Sequence, residues 1–513
     1  MLKSTAMVAS MTLISRLLGF VRDLIIARTF GADAATDAFF VAFRIPNFLR
    51  RLFAEGAFSQ GLVPILSELR AAKDAAAARQ TIAHMAGTLG LVAALLTGLG
   101  MAAAPILTLL FAPGFHAQPF QYGWAVDMLR ITFPYLFFVM LTAFAGGVLQ
   151  TWGQFAVPAL TPALLNLAMI AAALWLAPLL KQPVEALAWG VFTAGILQLV
   201  FQLPSLWGIR QLSLPRPARR DREVLRMFRS MGPAILGVSA NQINLLLDTL
   251  VASFLASGSV SWLYYSDRLV ELPQGLLGVA IGTAILPHLA AVHLGRDSDG
   301  FSRTLDWALR WVALLGLPAT VGLMILAKPL VSTLFEHDEF SDYDAEMASR
   351  SLIAYAAGLP GAIAVKALAS GFSARRDVRT PLRYGLRAIA ANGVLAPVLA
   401  FLLAPHGWGH AGLAGATAAA ASFNALLLFG KLLADGTYRP DASWRRFGAR
   451  LIISNVAMGA LLTQALESPW TDWSASERIV RLGLWIAAGF AVYLISLLLA
   501  GLRPRHLLLS EKA

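Results

Sequence analysis

The chain has 513 residues, of which 58% are hydrophobic and only 14% charged, with a mean hydropathy of +0.66. Soluble domains carry roughly 25% charged residues, so a water-soluble globule is excluded, and at roughly 20 apolar residues per span the length holds more than a dozen spans and no sizeable soluble domain. The net charge of +12 reads as loops retained on the cytoplasmic side of a membrane, with no nucleic-acid partner implied, and with no cysteine there is neither a disulfide framework nor a thiolate metal site.

Apolar runs bounded by Gly, Pro and charge predict spans at 5 to 29, 36 to 65, 80 to 111, 123 to 151, 156 to 179 and 185 to 207. A basic linker follows at 208 to 231, with Arg210, Arg216, Arg219, Arg220, Arg222, Arg226 and Arg229. It reads either as a plain topology signal or, from Arg222 to Met231, as an amphipathic helix on anionic lipid. Eight further spans are predicted at 232 to 256, 262 to 292, 304 to 335, 345 to 373, 381 to 404, 411 to 433, 448 to 466 and 478 to 501. The termini and even-numbered loops hold the loop Lys and Arg residues, and the odd-numbered loops hold only Lys181. Both termini are therefore expected in the cytoplasm.

The second half echoes the first. Pro105 to Phe111 (PILTLLF) returns as Pro329 to Phe335 (PLVSTLF), 224 residues on. Asp23 returns as Asp248, Phe39-Phe40 as Tyr264-Tyr265, and Val157-Pro158 as Thr380-Pro381, at shifts of 225, 225 and 223. Matches in order at a nearly constant offset predict a duplication of spans 1 to 6 as 7 to 12. An even number of spans per repeat inserts both halves in the same orientation. The expected fold is thus all-α and polytopic, with about 14 spans: an N-lobe (1–207), the linker (208–231), a C-lobe (232–433) facing a central cavity, and two extra helices with a short tail (434–513).

Ionisable residues inside spans cost about 2.5 to 3.5 kcal/mol each on insertion scales, and their distribution is uneven. Spans 1 and 2 contain Arg16, Arg22, Asp23, Arg28, Asp37, Arg44, Arg50, Arg51 and Glu55. At 1.5 Å per residue Arg16 lies roughly 17 Å into span 1 and Arg50 roughly 21 Å into span 2, too deep to snorkel comfortably. One reading is that the arginines merely neutralise Asp23, Asp37 and Glu55 and lock two helices together. The arginines outnumber the carboxylates, however, and guanidinium forks suit phosphate oxygens. Arg16, Arg22 and Arg50 are therefore the candidate anion-binding residues, while Arg28, Arg44 and Arg51 fit pairing or snorkelling as well. Ser15, Asn47 and Asp23 are weaker cavity candidates.

In span 8, Asp267, Arg268 and Glu271 share one helix face, which makes Arg268 a fourth anion contact oriented by Glu271, or else part of a structural ion network. Asp248 and Lys366 are further, weaker cavity candidates. Pro46 and Pro273 occupy matching places in the repeat and are candidate hinges, although proline is also ordinary in membrane helices. The run Glu336-His337-Asp338-Glu339 falls in an outer loop and reads as a solvated acidic turn rather than a metal site. No G-x-x-x-x-G-K-[ST] loop is present. No cofactor is expected, and the energy for transport would come from an ion gradient or the membrane potential. A drug exporter for cations would need an acidic cavity, and a membrane enzyme acting on polyprenyl pyrophosphate would need clustered acidic metal ligands or an intramembrane His nucleophile.

Three strings carry a resemblance: Ser15 to Asp23 (SRLLGFVRD), Thr36 to Phe43 (TDAFFVAF) and Ile45 to Gln60 (IPNFLRRLFAEGAFSQ). With Met231 to Ser239, Ala252 to Ser259 and Tyr264 to Arg268, they resemble the MurJ (MviN) family of bacterial lipid II flippases, of the multidrug/oligosaccharidyl-lipid/polysaccharide exporter superfamily. The resemblance implies alternating access in the bacterial cytoplasmic membrane, and two C-terminal helices forming a groove for the lipid tail. The substrate it implies is lipid II, whose pyrophosphate and disaccharide-pentapeptide head would cross a cationic cavity. Membrane lipids and other cell-wall synthesis proteins would be its partners, and a related exporter of drugs or of another polyprenyl-linked glycan is the alternative. The family's cavity arginines map onto Arg16, Arg22, Arg50 and Arg268, its functional acidic positions onto Asp37 and Glu271, and a possible cation site onto Asp248.

Overall fold

A computed structural model describes residues 2–52, 58–71, 74–295, 297–470 and 473–503, the side chains of 2–9, 58–61, 232–243 and 279 excepted. The chain divides into two compact units, residues 1–261 and 262–513. Every described regular element is helical, as a lipid solvent requires, because helices satisfy their backbone polar groups internally.

The first unit contains α1 (Leu2–Phe30), α2 (Ala34–Arg50), α3 (Phe58–Ala71), α4 (Ala75–Ala102) and α5 (Ala104–Phe111). It continues with α6 (Pro119–Thr132), α7 (Tyr135–Thr151), α8 (Ala156–Ala171), α9 (Glu185–Gly208) and α10 (Arg222–Ala252). α11 (Ser259–Leu294) begins at its end and runs on into the second unit. There follow α12 (Ser298–Ile325), α13 (Ala327–Leu334), α14 (Asp342–Ala357) and α15 (Leu359–Ala374), then α16 (Arg379–Leu403), α17 (Gly409–Ala434), α18 (Trp444–Thr463) and α19 (Ala475–Leu499).

Among the described residues, 11 helical stretches are long and apolar enough to cross a membrane. They correspond to the expected spans other than 1, 2 and 7. α1 contains side chains outside the description, those of residues 2–9. α2 is only 17 residues long, and α10 contains side chains outside the description. The expected span 36 to 65 is not one helix: α2 ends at Arg50, Arg51 and Leu52 form a π-helical turn, and the chain resumes as α3 at Phe58. Glu55 lies outside the described residues.

Local chemistry explains the breaks. Gly31 adopts φ 63°, which closes α1, and Asp33 then caps α2 by accepting from the Thr36 amide at 2.8 Å. The span predicted at 80 to 111 breaks at Ala103 just before Pro105, and that at 304 to 335 breaks at Leu326 shortly before Pro329. The two following spans break at Phe133-Pro134 and at Gly358, just before Pro360. Long helix, short helix and two half-length helices thus recur in α4 to α7 and in α12 to α15, with lengths of 28, 8, 14 and 17 against 28, 8, 16 and 16 residues. The sequence echo is accordingly an echo of helix architecture.

The linker does not hang loose. The Arg216 amide donates to Ala83 O at 3.0 Å, the Ala218 amide to Thr88 Oγ1 at 3.0 Å, and Arg79 to Arg210 O at 2.7 Å, so the strand lies along α4. Gly87 makes the approach possible, since a Cβ there would stand 2.4 Å from the Arg216 carbonyl carbon. Asp221 ends the strand, capping α10 and pairing with His84 at 2.8 Å. Burial pushes its carboxyl up, but the bonds from His84, Val224 and Glu223 outweigh this and hold it below the usual carboxylate range. Arg222 to Met231, which sequence left as a possible surface helix, forms the first turns of α10, where Arg226 pairs with Glu68 of α3 at 2.6 Å.

Candidate functional site

In the first unit, faces of α7, α8 and α9 converge on a cavity of about 480 Å³ into which Ser15 of α1 and Arg50 of α2 also turn. Glycine supplies the room. A Cβ at Gly146 would meet Pro158 Cβ at 3.6 Å and the Gln202 amide oxygen at 3.7 Å. The wall is polar in a neutral way, with Thr142, Gln150, Thr161, Asn166, Gln198 and Gln202, and among the described residues Arg50 is its one charged residue.

Asn166 organises the edge nearest α1. Arg22, which is buried, donates through Nη1 to Asn166 Oδ1 at 3.0 Å and through Nε and Nη2 to Asp23 Oδ1 at 2.9 and 2.5 Å. Asn166 Nδ2 donates in turn to the Ser15 carbonyl at 3.0 Å. Arg22, Asp23, Asn166 and Ser15 are thereby one bonded cluster, and Ser15 and Asn166 line the same cavity as Arg50. Arg50 Nε donates to Asn47 Oδ1 at 2.9 Å, one turn back on α2. That bond engages Nε, and the planar guanidinium carries its other N–H groups on two terminal nitrogens, the fork geometry that binds phosphate oxygens. Arg16 is exposed on α1, and Arg51 is half-buried in the π-helical turn. Pro46 is buried inside α2.

Asp37 stands elsewhere. Its buried carboxylate accepts from the Gly258 amide at 2.7 Å, the Ser261 amide at 2.8 Å and the Ser261 hydroxyl at 2.6 Å. This is the arrangement of a capping carboxylate at a helix start, here the turn beginning at Ser259. Asp248 is buried on α10 beside Thr249, whose hydroxyl accepts from Arg44.

In the second unit Arg268 donates to Glu271 at 2.6 Å and lies 4.8 Å over the Tyr264 ring, with Asp267 and Glu271 exposed on the same helix. Lys366 is exposed at its tip while its stem packs over Gly278, where a Cβ would stand 3.2 Å from Lys366 Cγ. Pro273 lies inside an uninterrupted α11. A second cavity, of about 760 Å³, runs between α11, α12, α18 and α19. Leu314, Pro318, Gly322, Met458 and Phe490 line it, and the Tyr493 hydroxyl in its wall donates to Leu314 O at 2.7 Å, so that only its ring faces the groove. α18 is anchored for this role by Asp306, which accepts from Trp444 Nε1 at 2.5 Å, Arg310 at 2.6 Å and the Tyr438 hydroxyl at 2.8 Å.

Comparison with known proteins finds relatives over nearly the whole chain. The family profile described as Lipid II flippase MurJ matches residues 26–482. The probable lipid II flippase MurJ of Vibrio cholerae is 46% identical over 99% of this chain and 97% of its own length. The chain belongs to the MurJ family. The lipid II flippase MurJ of Burkholderia cenocepacia is 41% identical, covering 95% of both chains. A solved lipid II flippase MurJ in an inward closed conformation superposes with a TM-score of 0.78 at 26% identity, over 95% of this chain and 97% of that one. An inward-facing multidrug resistance MATE transporter of the MOP superfamily shares the fold, with a TM-score of 0.63 at 14% identity over 84% of this chain and 98% of the other. As a member of this family the chain is a multi-pass membrane transporter and not an enzyme.

The amides of Asn166, Gln198 and Gln202 were missed by reasoning from charge alone. A signal was available: Gln198 and Gln202 are one turn apart in an otherwise apolar span, and Asn166 interrupts the run Ala163 to Leu174. A polar side chain in the middle of a span calls for a partner or a cavity.

Proposed function

We propose that this chain carries lipid II from the inner to the outer leaflet of the bacterial cytoplasmic membrane by alternating access, with both termini in the cytoplasm. The observation that carries the reading is the pairing of unlike cavities on one chain: a polar one with the Arg50 fork in the first unit, and an apolar groove of about 760 Å³ in the second. An amphiphile with an anionic head and a polyprenyl tail needs both. Arg50 would hold the pyrophosphate, the Arg22-Asp23-Asn166 cluster would fix the cavity wall, and the groove between α12 and α19 would receive the tail. Arg16 and Arg268 would add cationic contacts along the path, with Glu271 orienting the latter. Driving force would come from the membrane potential or an ion gradient.

The test is depletion of the native protein in its bacterium, with complementation by Arg16→Glu, Arg22→Glu, Arg50→Glu and Arg268→Glu, while lipid II on the outer leaflet is assayed. Loss of exposed lipid II with normal membrane abundance is expected for Arg50→Glu above all. Normal export by all four variants would overturn the reading.

A further inference from the structure

The polar cavity of the first unit holds more hydrogen-bonding capacity than its own residues use. Gln198 and Gln202 are 3% and 2% exposed. Each commits its amide nitrogen to Thr161, at 3.3 Å to the carbonyl and 3.0 Å to the hydroxyl, while the amide oxygen of each has no hydrogen-bond partner among the described residues. Thr142, 5% exposed, likewise leaves its hydroxyl without one. Pro162 adds a fourth group by simple covalent chemistry: it has no N–H to give, so the Pro158 carbonyl lacks its helical donor. An unpaired buried polar group is costly and calls for an explanation.

The character of these groups narrows the ligand. Three of the four are carbonyl acceptors and the fourth is a hydroxyl, so they call for neutral O–H and N–H donors. A carboxylate would face three acceptors with only the Thr142 hydroxyl able to donate to it, and among the described residues Arg50 is the only charge in the wall. The volume of about 480 Å³ lies within the roughly 300 to 1,000 Å³ of small-molecule sites, enough for part of a large head group. Gln202 stands six residues before the end of α9 at Gly208, roughly 9 Å along the helix, near the end that leads to the basic linker.

We propose that this cavity is a carbohydrate subsite that takes an N-acylated sugar of the cargo, with Gln198, Gln202, Thr142 and the Pro158 carbonyl accepting from its hydroxyl and amide groups while Arg50 holds the adjoining phosphate. The inference rests on the lipid-linked cargo proposed above and adds which part of the head is read, and by which residues.

The experiment measures equilibrium binding of two probes to the purified full-length chain: lipid II, and undecaprenyl pyrophosphate, which has the same tail and anion but no sugar. Gln198→Leu/Gln202→Leu is expected to weaken lipid II roughly tenfold and Thr142→Val about threefold, with undecaprenyl pyrophosphate binding unchanged in both. Equal loss on the two probes, or unchanged lipid II binding in folded protein, overturns the subsite. Thr142→Val is isosteric and decides the matter if the double variant does not fold. Arg50→Ala separates the two claims. It should weaken both probes, and if it weakens neither, the anion reading fails while the sugar contrast still stands or falls on the glutamine variants.

Discussion

Replacing Asn166 tests whether the first-unit cavity is held by charge pairing or by an amide that the sequence barely advertises. Asn166→Leu removes the acceptor of Arg22 Nη1 and the donor to the Ser15 carbonyl. A bond to a charged group is worth about 1.5 to 3 kcal/mol in soluble proteins, but side-chain bonds between membrane helices average about 0.6 and reach about 1.7 kcal/mol. Arg22 keeps Asp23, so its charge is not stranded. The loss is therefore the two bonds, roughly 1 to 3 kcal/mol, and well below the roughly 3 to 5 kcal/mol of a broken buried ion pair. Thermal or denaturant unfolding of the purified full-length chain reads this directly, and wild-type stability in Asn166→Leu would refute the cluster. Asn166→Asp separates structure from charge. It retains an acceptor for Arg22 but adds a carboxylate in the wall that Arg50 shares, and a unit charge 8 Å from a phosphate repels it by about 2 kcal/mol at an effective dielectric of about 20. Because the Ser15 bond is lost while the Arg22 bond is kept and gains an ionic partner, a smaller stability loss than in Asn166→Leu is expected together with roughly thirtyfold weaker lipid II binding, and binding equal to wild type would show that the cavity does not meet the anion.

Arg50→Lys keeps the charge but loses both the fork and the Asn47 bond, so lipid II binding should fall by roughly tenfold in the same binding assay although net charge is unchanged. Gly322 faces the apolar groove with nothing within 4 Å of a Cβ built on it; Gly322→Trp should leave unfolding near wild type while abolishing outer-leaflet lipid II in the depletion strain. Asp37→Asn converts an acceptor of three bonds of 2.6 to 2.8 Å into a group that cannot accept them all, and should lower stability by roughly 2 to 4 kcal/mol in denaturant unfolding. Gly87→Val must push the linker off α4, because a Cβ stands 2.4 Å from the Arg216 backbone; limited trypsin digestion should then cut after Arg219 or Arg220 markedly faster, the Arg216–Pro217 bond being resistant.

Span positions were legible because a lipid solvent leaves a blunt signature of long apolar runs ended by charge. The breaks inside them were not, since Pro105 and Pro329 look the same to a hydropathy window whether they kink one helix or separate two. The linker was read as topology or as a surface helix, and its docking was hidden because it rests on backbone bonds and on Gly87, which carry no charge or hydropathy signal. Of the site, the charged members stood out at once. The amides that share the cavity with them did not, because Gln198, Gln202 and Asn166 are single polar residues whose convergence depends on how α8 and α9 pack.

The packing also changes what the arginine surplus means. Counted along the sequence, every arginine of the first two spans competes for the same few carboxylates. Of the two carboxylates the structure describes, Asp23 is engaged by Arg22, and Asp37 by the amides and hydroxyl of the turn at Gly258 to Ser261. Asp37 therefore offsets no arginine by contact, which makes the excess of positive charge larger than the count suggested. It also assigns Arg22 and Arg50 different tasks. Arg22 is buried, held by Asp23 and Asn166, and contributes the position of the wall. Arg50, bonded to Asn47 of its own helix, lines the cavity itself. Charge removal should accordingly affect the two differently: Arg22→Gln should lower stability and binding together, whereas Arg50→Gln should lower binding with little change in unfolding. Coincident losses in both variants would show that the two arginines form one structural unit after all.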